Sequence, residues 1–438
     1  MVGNDTIFAL SSGGLPSGVA VVRISGPECE TVIRVMTGSL PAPRRAELRS
    51  IRSRNGLFLD QGLVLHFPGR ASFTGEDSGE FHLHGGRATV RAVLDALAEF
   101  PGLRAADAGE FSRRAFHNGK LDLVEIEGLA DIVVAQTEMQ RRLALEHAAG
   151  GVSRLYEDWA RRLTFARAMI EAELDFSDEE DVPGAVGQTV RDDLMALARE
   201  VREHLAGSRA GEIIRDGLTV VIAGPPNVGK SSLINFLAKR DVAIVTDIPG
   251  TTRDIVSVDL DIDGFAVRLL DTAGLRETEE VVEKEGIRRA KSAMAQADLV
   301  LRMLDQHEMP GAPPTESGPT IYVASKADLY PRRDIDRSVV ALSTLTGDGI
   351  DQLMDRIREH LPQLSHANAF AVPSRDRHNE SLRTMLKALD EALSLPAHEL
   401  ELQAELLRQA ANELGRMTGR VDVENLLDVI FSEFCIGK

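Results

Sequence analysis

The sequence predicts a multidomain protein of α/β plus α class, with a doubly wound α/β domain inserted into a helical bundle behind an N-terminal α+β domain. Three observations carry this. Residues 213–363 alternate short β-branched runs (LTVVIAG, FAVRLLD, ADLVLRML, TIYVAS, SVVALS) with helical stretches, the pattern of a parallel sheet covered by helices. Residues 119–212 and 364–438 are rich in Ala and Leu at helical spacing, as in a bundle. Residues 1–118 mix strand-like VAVVRIS and LVLHF with the helix-periodic VRAVLDALAEF, and RNGLFLDQG carries an Asn-Gly turn signal.

The elements follow in order. DLVEIEGLADIVVAQTEMQRRLALEHAA and SRLYEDWARRLTFARAMIEAEL read as long helices. The acidic DFSDEEDVPG between helices lacks the spaced ligands and glycine of a calcium loop and reads as solvated. HEMPGAPPTESGP is a Pro/Gly-rich loop within the α/β domain. No apolar run is long enough to span a bilayer, and MVGNDTIFAL lacks the basic and apolar regions of a secretory signal. Cys29 and Cys435 are the only cysteines, which excludes a disulfide framework and fits a reducing cytoplasm. The formal charge of −18 excludes nucleic-acid binding by the overall field, so any RNA contact must use a local basic patch or a partner.

GPPNVGKS, residues 224–231, follows the strand LTVVIA and opens the helix SSLINFLAK, the context a phosphate-binding loop requires. Backbone N–H groups of Asn227, Val228, Gly229, Ser231 and Ser232 wrap phosphates there. Lys230 reaches the β- and γ-phosphates, and the Ser231 hydroxyl ligates Mg²⁺. DTAG then places Asp271 on Mg²⁺ through water and the Gly274 amide by the γ-phosphate. GTTRD supplies a threonine for the metal. In SKAD, Asp328 accepts the two donors of the guanine edge while Lys326 lies along the base. In order and at these spacings, the elements specify a GTPase. Ser325 stands where such a loop usually carries asparagine, so a weaker base and loop contact is expected, with guanine specificity kept by Asp328. In STLTGDG the base contact comes from a backbone amide, so Thr344 is tolerated.

With SFTGED, HGG, NGKLDL and the terminal FCIGK added, the whole chain resembles the MnmE (TrmE) tRNA-modification GTPase family, a branch of the TrmE-Era-EngA-like GTPases. The resemblance implies an N-terminal folate-binding and dimerisation domain (1–118), a helical domain in two parts (119–212 and 364–438) and an inserted GTPase domain (213–363). It implies a homodimer acting with the FAD-dependent MnmG (GidA) subunit, as a heterotetramer, on the wobble uridine of tRNA. A tetrahydrofolate derivative such as 5-formyltetrahydrofolate supplies the one-carbon unit. It also implies K⁺-dependent dimerisation of the GTPase domains, with K⁺ held by Asn227, Thr246, Ile248 and Thr251, and Mg²⁺ by Ser231 and Thr252. Glu283 positions the attacking water, a role no feature of LRETEEVVEKEGI would single out. Arg253 as a cis arginine finger is the lesser reading beside the cation.

The same resemblance places folate on Arg23, Glu80, Lys120 and Lys438, where a carboxylate suits the pterin edge and cations suit the glutamyl tail. Cys435 sits four residues from the terminus, where a prenylated switch would be lipidated. However, the helical residues before it and the closing Gly-Lys make membrane anchoring the weaker expectation. It is either a reactive thiol or a buried apolar cysteine. His82 and His84 in EFHLHGG read as structural rather than metal-binding. The competing class is an Era-like ribosome-assembly GTPase, which would carry a basic RNA-binding domain after the GTPase.

Overall fold

The computed structural model describes residues 5–175, 185–240, 242–244, 257–271, 294–304, 318–329, 338–363, 370–396, 398–421, 427, 430–431 and 437. The chain forms two compact units. One contains Met1–Ala130, Ala148–Glu171 and Glu401–Lys438, the other Asp131–His147 and Ala172–Leu400.

The first unit is built on six strands: β1 (Thr6–Leu10), β2 (Ser17–Ser25), β3 (Glu47–Arg52), β4 (Phe58–Phe67), β5 (Ser78–Gly85) and β6 (Leu103–Ala105). Their order is β3-β4-β5-β2-β1-β6, antiparallel except for the parallel β1–β6 pair. The Asn55-Gly56 signal falls on the β3–β4 turn, where Gly56 has φ 84° and donates to the Ser53 carbonyl. Strand β5 alternates as a half-buried strand should: Phe81 and Leu83 enter the core, while Glu80, His82 and His84 face away from it. Helices α1 (Cys29–Thr37) and α2 (Arg87–Ala98) cover the apolar face, sharing a core of Ile24, Cys29, Ile33, Phe81, Val93 and Leu97.

On α3 (Glu110–His117), Arg114 is 3% exposed and bonds Asp5 at 2.8 Å, Glu110 at 3.0 Å and Glu76 at 3.1 Å. Burial alone would raise the Asp5 and Glu110 carboxyls. Bonds to Arg104 and Arg114 outweigh it and hold both below the usual carboxylate range.

The stretch expected as one helix from residue 122 is two, α4 (Leu123–Val134) and α5 (Glu138–Ala148). The Gln140 side chain accepts from the N–H groups of Gln136 (2.9 Å) and Thr137 (3.1 Å), a capping box that starts a new helix at T-E-M-Q. Helix α6 (Gly151–Asp175) buries Trp159 against Tyr156, ring centroids 5.7 Å apart.

The second unit contains α7 (Ala185–Ala206) and α8 (Ser208–Asp216), then β7 (Leu218–Ala223), α9 (Lys230–Leu237), β8 (Ser257–Ile262), β9 (Phe265–Asp271), β10 (Leu299–Leu304), β11 (Thr320–Ala324), β12 (Val339–Ala341), α10 (Ile350–Arg358) and α11 (Asp376–Ser394). Helix α12 (Leu400–Thr418) lies almost wholly in the first. The sheet order is β12-β11-β10-β7-β9-β8. Every pair is parallel except β8–β9. Strand β8, SVDLDI, is absent from the β-branched runs of the sequence because its aspartates lower strand propensity; its alternation marks a half-exposed edge strand.

Three histidines, His147, His204 and His378, are buried in this unit. Burial, then repulsion from His378 and His147, pushes His204 down to about 3. An unfolded histidine titrates near 6.5, so the unfolded chain takes the proton first and stability is lost as pH falls from about 6.5 towards about 3. The thermal midpoint of this unit should therefore drop between pH 6.5 and 5. A His204→Phe variant should show a shallower drop, and an equal slope would remove His204 as its source.

Candidate functional site

Two polar sites emerge, one in each unit. In the first, β2 and β5 pair with Arg23 directly opposite Glu80, and the guanidinium donates to Glu80 Oε1 at 3.0 and 3.1 Å. Arg23 lies 5.7 Å from the ring centroids of both Phe73 and Phe111. Phe73 belongs to SFTGED, whose Thr74 carbonyl accepts from Asn118 Nδ2 at 2.7 Å. Gly75, at φ 82°, packs on Asn118 and Lys120; a Cβ there would stand 2.9 Å from the Asn118 side chain. Glu76 accepts from the Ser25 hydroxyl at 2.9 Å and from Arg114. The fold thus brings Arg23, Glu80, the SFTGED loop and the N-G-K turn into one unit, and Lys120 Nζ bonds the Arg70 carbonyl at 2.9 Å.

Arg23 and Glu80, assigned from the resemblance to the glutamyl tail and the pterin edge, are bonded to each other here. Glu76 and Arg114 went unassigned from sequence; the SFTGED motif contained the first, and only burial distinguishes the second. His82 Nε2 lies 3.1 Å from Glu80 Oε2 and His84 Nδ1 lies 2.8 Å from Asp60, and no metal-holding cluster occurs among the described residues. Lys438 and Cys435 lie outside the described residues. Their neighbour Gly437 accepts from the Ser11 hydroxyl at 2.8 Å; its φ is 98°, and a Cβ would stand 2.2 Å from the Leu10 carbonyl. Gly437 is thereby set against the end of β1, and only glycine fits at that step.

In the second unit the phosphate loop leaves the carboxyl end of central strand β7, where α/β sheets place their ligands. Gly224, at φ 154°, passes so close to β10 that a Cβ would be 2.6 Å from the Met303 carbonyl. Asn227 (φ 61°) and Gly229 (φ 104°) turn the backbone before α9. Lys230 is 7% exposed, its ammonium donating to the carbonyls of Gly224 (2.9 Å) and Pro225 (2.7 Å). Ile222 stands opposite Asp271 in the β7–β9 register, and the Ser231 hydroxyl donates to Asp271 at 2.9 Å. A hydroxyl on the first turn of α9 and a buried carboxylate at the end of β9 suit a hard divalent cation. Thr246, Ile248, Thr251, Thr252, Arg253, Gly274 and Glu283 lie outside the described residues.

On the base side, Asp328 accepts from the Ser343 hydroxyl at 2.5 Å, and Lys326 Nζ donates to the Asn227 carbonyl at 3.0 Å. Ser325 is 6% exposed and its hydroxyl donates to the Val228 carbonyl. The short side chain thus ties the base loop to the phosphate loop through this one bond. A neutral hydrogen bond of this kind contributes about 1 kcal/mol. Ser325→Ala should weaken binding of a fluorescent GDP analogue about fivefold. Unchanged affinity would show that the phosphate loop is positioned without it.

The family model described as MnmE helical domain matches residues 123–435, and that described as GTP-binding protein TrmE N-terminus matches residues 6–120. The tRNA modification GTPase MnmE of Sinorhizobium medicae is 59% identical, covering 99% of this chain and 99% of its own. That of Rhizobium meliloti is 58% identical over 100% of both chains. Among solved structures, an Era variant of Aquifex aeolicus is 27% identical, covering 39% of this chain and 66% of its own at a TM-score of 0.27. Identity above one half over essentially the whole length, with both family models matched in order, shows that the chain belongs to the MnmE family of tRNA modification GTPases.

Proposed function

We propose that this chain is the GTP-hydrolysing subunit of a complex that modifies the wobble uridine of tRNA. The complex adds an aminomethyl or carboxymethylaminomethyl group at C5, with the one-carbon unit drawn from a tetrahydrofolate derivative. One observation carries the reading: a single chain holds both the phosphate loop with its Ser231–Asp271 pair and a separate Arg23–Glu80 site walled by aromatic rings and the SFTGED loop.

GTP binds through Asn227, Val228, Gly229, Lys230, Ser231 and Ser232, with Thr246, Thr251, Gly274, Lys326 and Asp328 completing the contacts. Lys230 is pre-placed by its two loop carbonyls and needs only to exchange them for phosphate oxygens. Ser231 and Thr252 hold Mg²⁺, with Asp271 behind. Asn227, Thr246, Ile248 and Thr251 hold K⁺, which offsets charge developing on the phosphates in place of an arginine finger. Glu283 orients the attacking water. Folate lies on Arg23, Glu80, Lys120 and Lys438, with Cys435 close by in sequence as a candidate thiol. Because Arg23 already bonds Glu80 Oε1, the pterin edge meets a carboxylate whose orientation is set before it arrives. The functional domains in this reading are 1–118, 119–212 with 364–438, and 213–363. The chain works as a homodimer with the FAD-dependent MnmG subunit in the cytoplasm. No helix among the described residues is long and apolar enough to cross a membrane.

Calorimetric titration with 5-formyltetrahydrofolate tests the first site. Saturable binding that Glu80→Ala weakens about tenfold or more is expected, since charged hydrogen bonds contribute about 1.5–3 kcal/mol. No binding by the unaltered chain, while GTP still binds, would reduce the N-terminal domain to a dimeriser. For the second site, KCl should accelerate GTP hydrolysis over NaCl at equal ionic strength, and equal rates would sink the potassium assignment.

A further inference from the structure

A chain of net charge −18 repels a polyanion, yet the proposed substrate is one. One stretch runs against the trend: Arg34, Arg44, Arg45, Arg49, Arg52 and Arg54 face a single acid, Glu47, between residues 34 and 54. The fold gathers them at one place. Arg44 and Arg45 lead into β3, the edge strand of the first sheet; Arg52 ends it, and Arg54 lies in the turn to β4.

Arg34 pairs with Glu30 and Arg49 with Glu47. The other four are exposed and form no ion pair among the described residues, although Arg45 acts on Glu47 at longer range and Arg52 donates to the Gly56 carbonyl at 3.2 Å. The Arg44 guanidinium donates to the Ala71 carbonyl beside exposed Arg70, extending the positive stripe past the edge. At the other end, Arg52 lies 5.6 Å over the Phe58 ring. Charged residues on an edge strand often serve only to block strand pairing. That purpose does not account for Leu48, Leu57 and Phe58, which are 63%, 67% and 53% exposed on the same edge and turn and would work against it. Exposed guanidinium groups that no carboxylate neutralises, beside an exposed aromatic ring, are what a nucleic-acid strand requires: cations for phosphates and a flat face for a base.

We propose that the β3 edge and the β3–β4 turn form an RNA-docking surface, with Arg44, Arg45, Arg52 and Arg54 on backbone phosphates and Phe58 stacked on an unpaired base. The inference rests on the tRNA reading above and names the surface that reading needs.

The test uses the full-length protein, fluorescently labelled tRNA and anisotropy titrations from about 50 to 200 mM KCl. A triple variant, Arg45→Ser, Arg52→Ser and Arg54→Ser, removes three surface charges that form no ion pair, with the Arg52 bond to the Gly56 carbonyl lost as well, and leaves Arg44 on the Ala71 carbonyl. Its affinity should fall at least tenfold. The slope of log affinity against log salt should shrink by about two to three, at roughly 0.7–0.9 per phosphate contact. Phe58→Ala should weaken binding about tenfold with the slope unchanged, since stacking releases no counterions. GTP hydrolysis without tRNA should be unaltered in both, which shows that each variant is folded. Unchanged affinity and slope in the triple variant would overturn the surface, as would absence of tRNA binding by the unaltered chain. Wobble-uridine modification by the unaltered chain with its partner subunit separates the two readings: if it persists while the surface fails, only the surface is lost.

Discussion

The parallel pairing of β7 with β9 is the constraint on which the nucleotide site depends. It sets Ile222 opposite Asp271, so the last residue of one strand meets the first helical turn after the other. A slip of one residue would turn Asp271 to the other face of the sheet and leave Ser231 without its carboxylate. β10 constrains the opposite side, because Gly224 passes the Met303 carbonyl at a distance no other side chain allows. Between these neighbours the loop has little freedom, and the ties from Ser325 and Lys326 to the Val228 and Asn227 carbonyls bring the base-recognition loop into the same rigid set.

The N-terminal sheet works by a related principle with different chemistry. Cross-strand register again sets the key pair, here Arg23 opposite Glu80, but the support is ionic rather than backbone-tight. Arg114 gathers Asp5, Glu76 and Glu110, and Arg104 also binds Asp5 and Glu110, so each of the three carboxylates has a guanidinium partner. Glu76 links that hub to Ser25 on the strand carrying Arg23. The SFTGED loop is thereby held from both sides.

Much of this was readable from the sequence, for physical reasons. The β-branched runs of the second sheet are buried on both faces, so their strand character is undiluted, and G-x-x-x-x-G-K-S has few other uses after a strand. The edge strand β8 was missed because its aspartates hide a real alternation. The break between α4 and α5 was missed although T-E-M-Q announces it, since continuous apolar periodicity masks a cap. The Arg23–Glu80 bond could not be read at all: it depends on which residues face each other across two strands separated by more than fifty positions. Arg114 looks like any arginine in a polar helix until its burial is known.

The α/β part of the second unit lies between α8 and the segment around Pro373, and these two crossings touch. A Cβ on Gly211 would stand 2.4 Å from the Pro373 carbonyl, and one on Gly207 would meet Val372 at 2.8 Å. The roughly 160 residues between them therefore form a loop whose ends are already closed. The entropy of closing such a loop rises only with the logarithm of its length, by about 0.6 kcal/mol per doubling. Insertions and deletions inside it are cheap, whereas any side chain added at the neck is not. Variation in length should thus accumulate within the inserted domain, while the two small residues at its neck remain small.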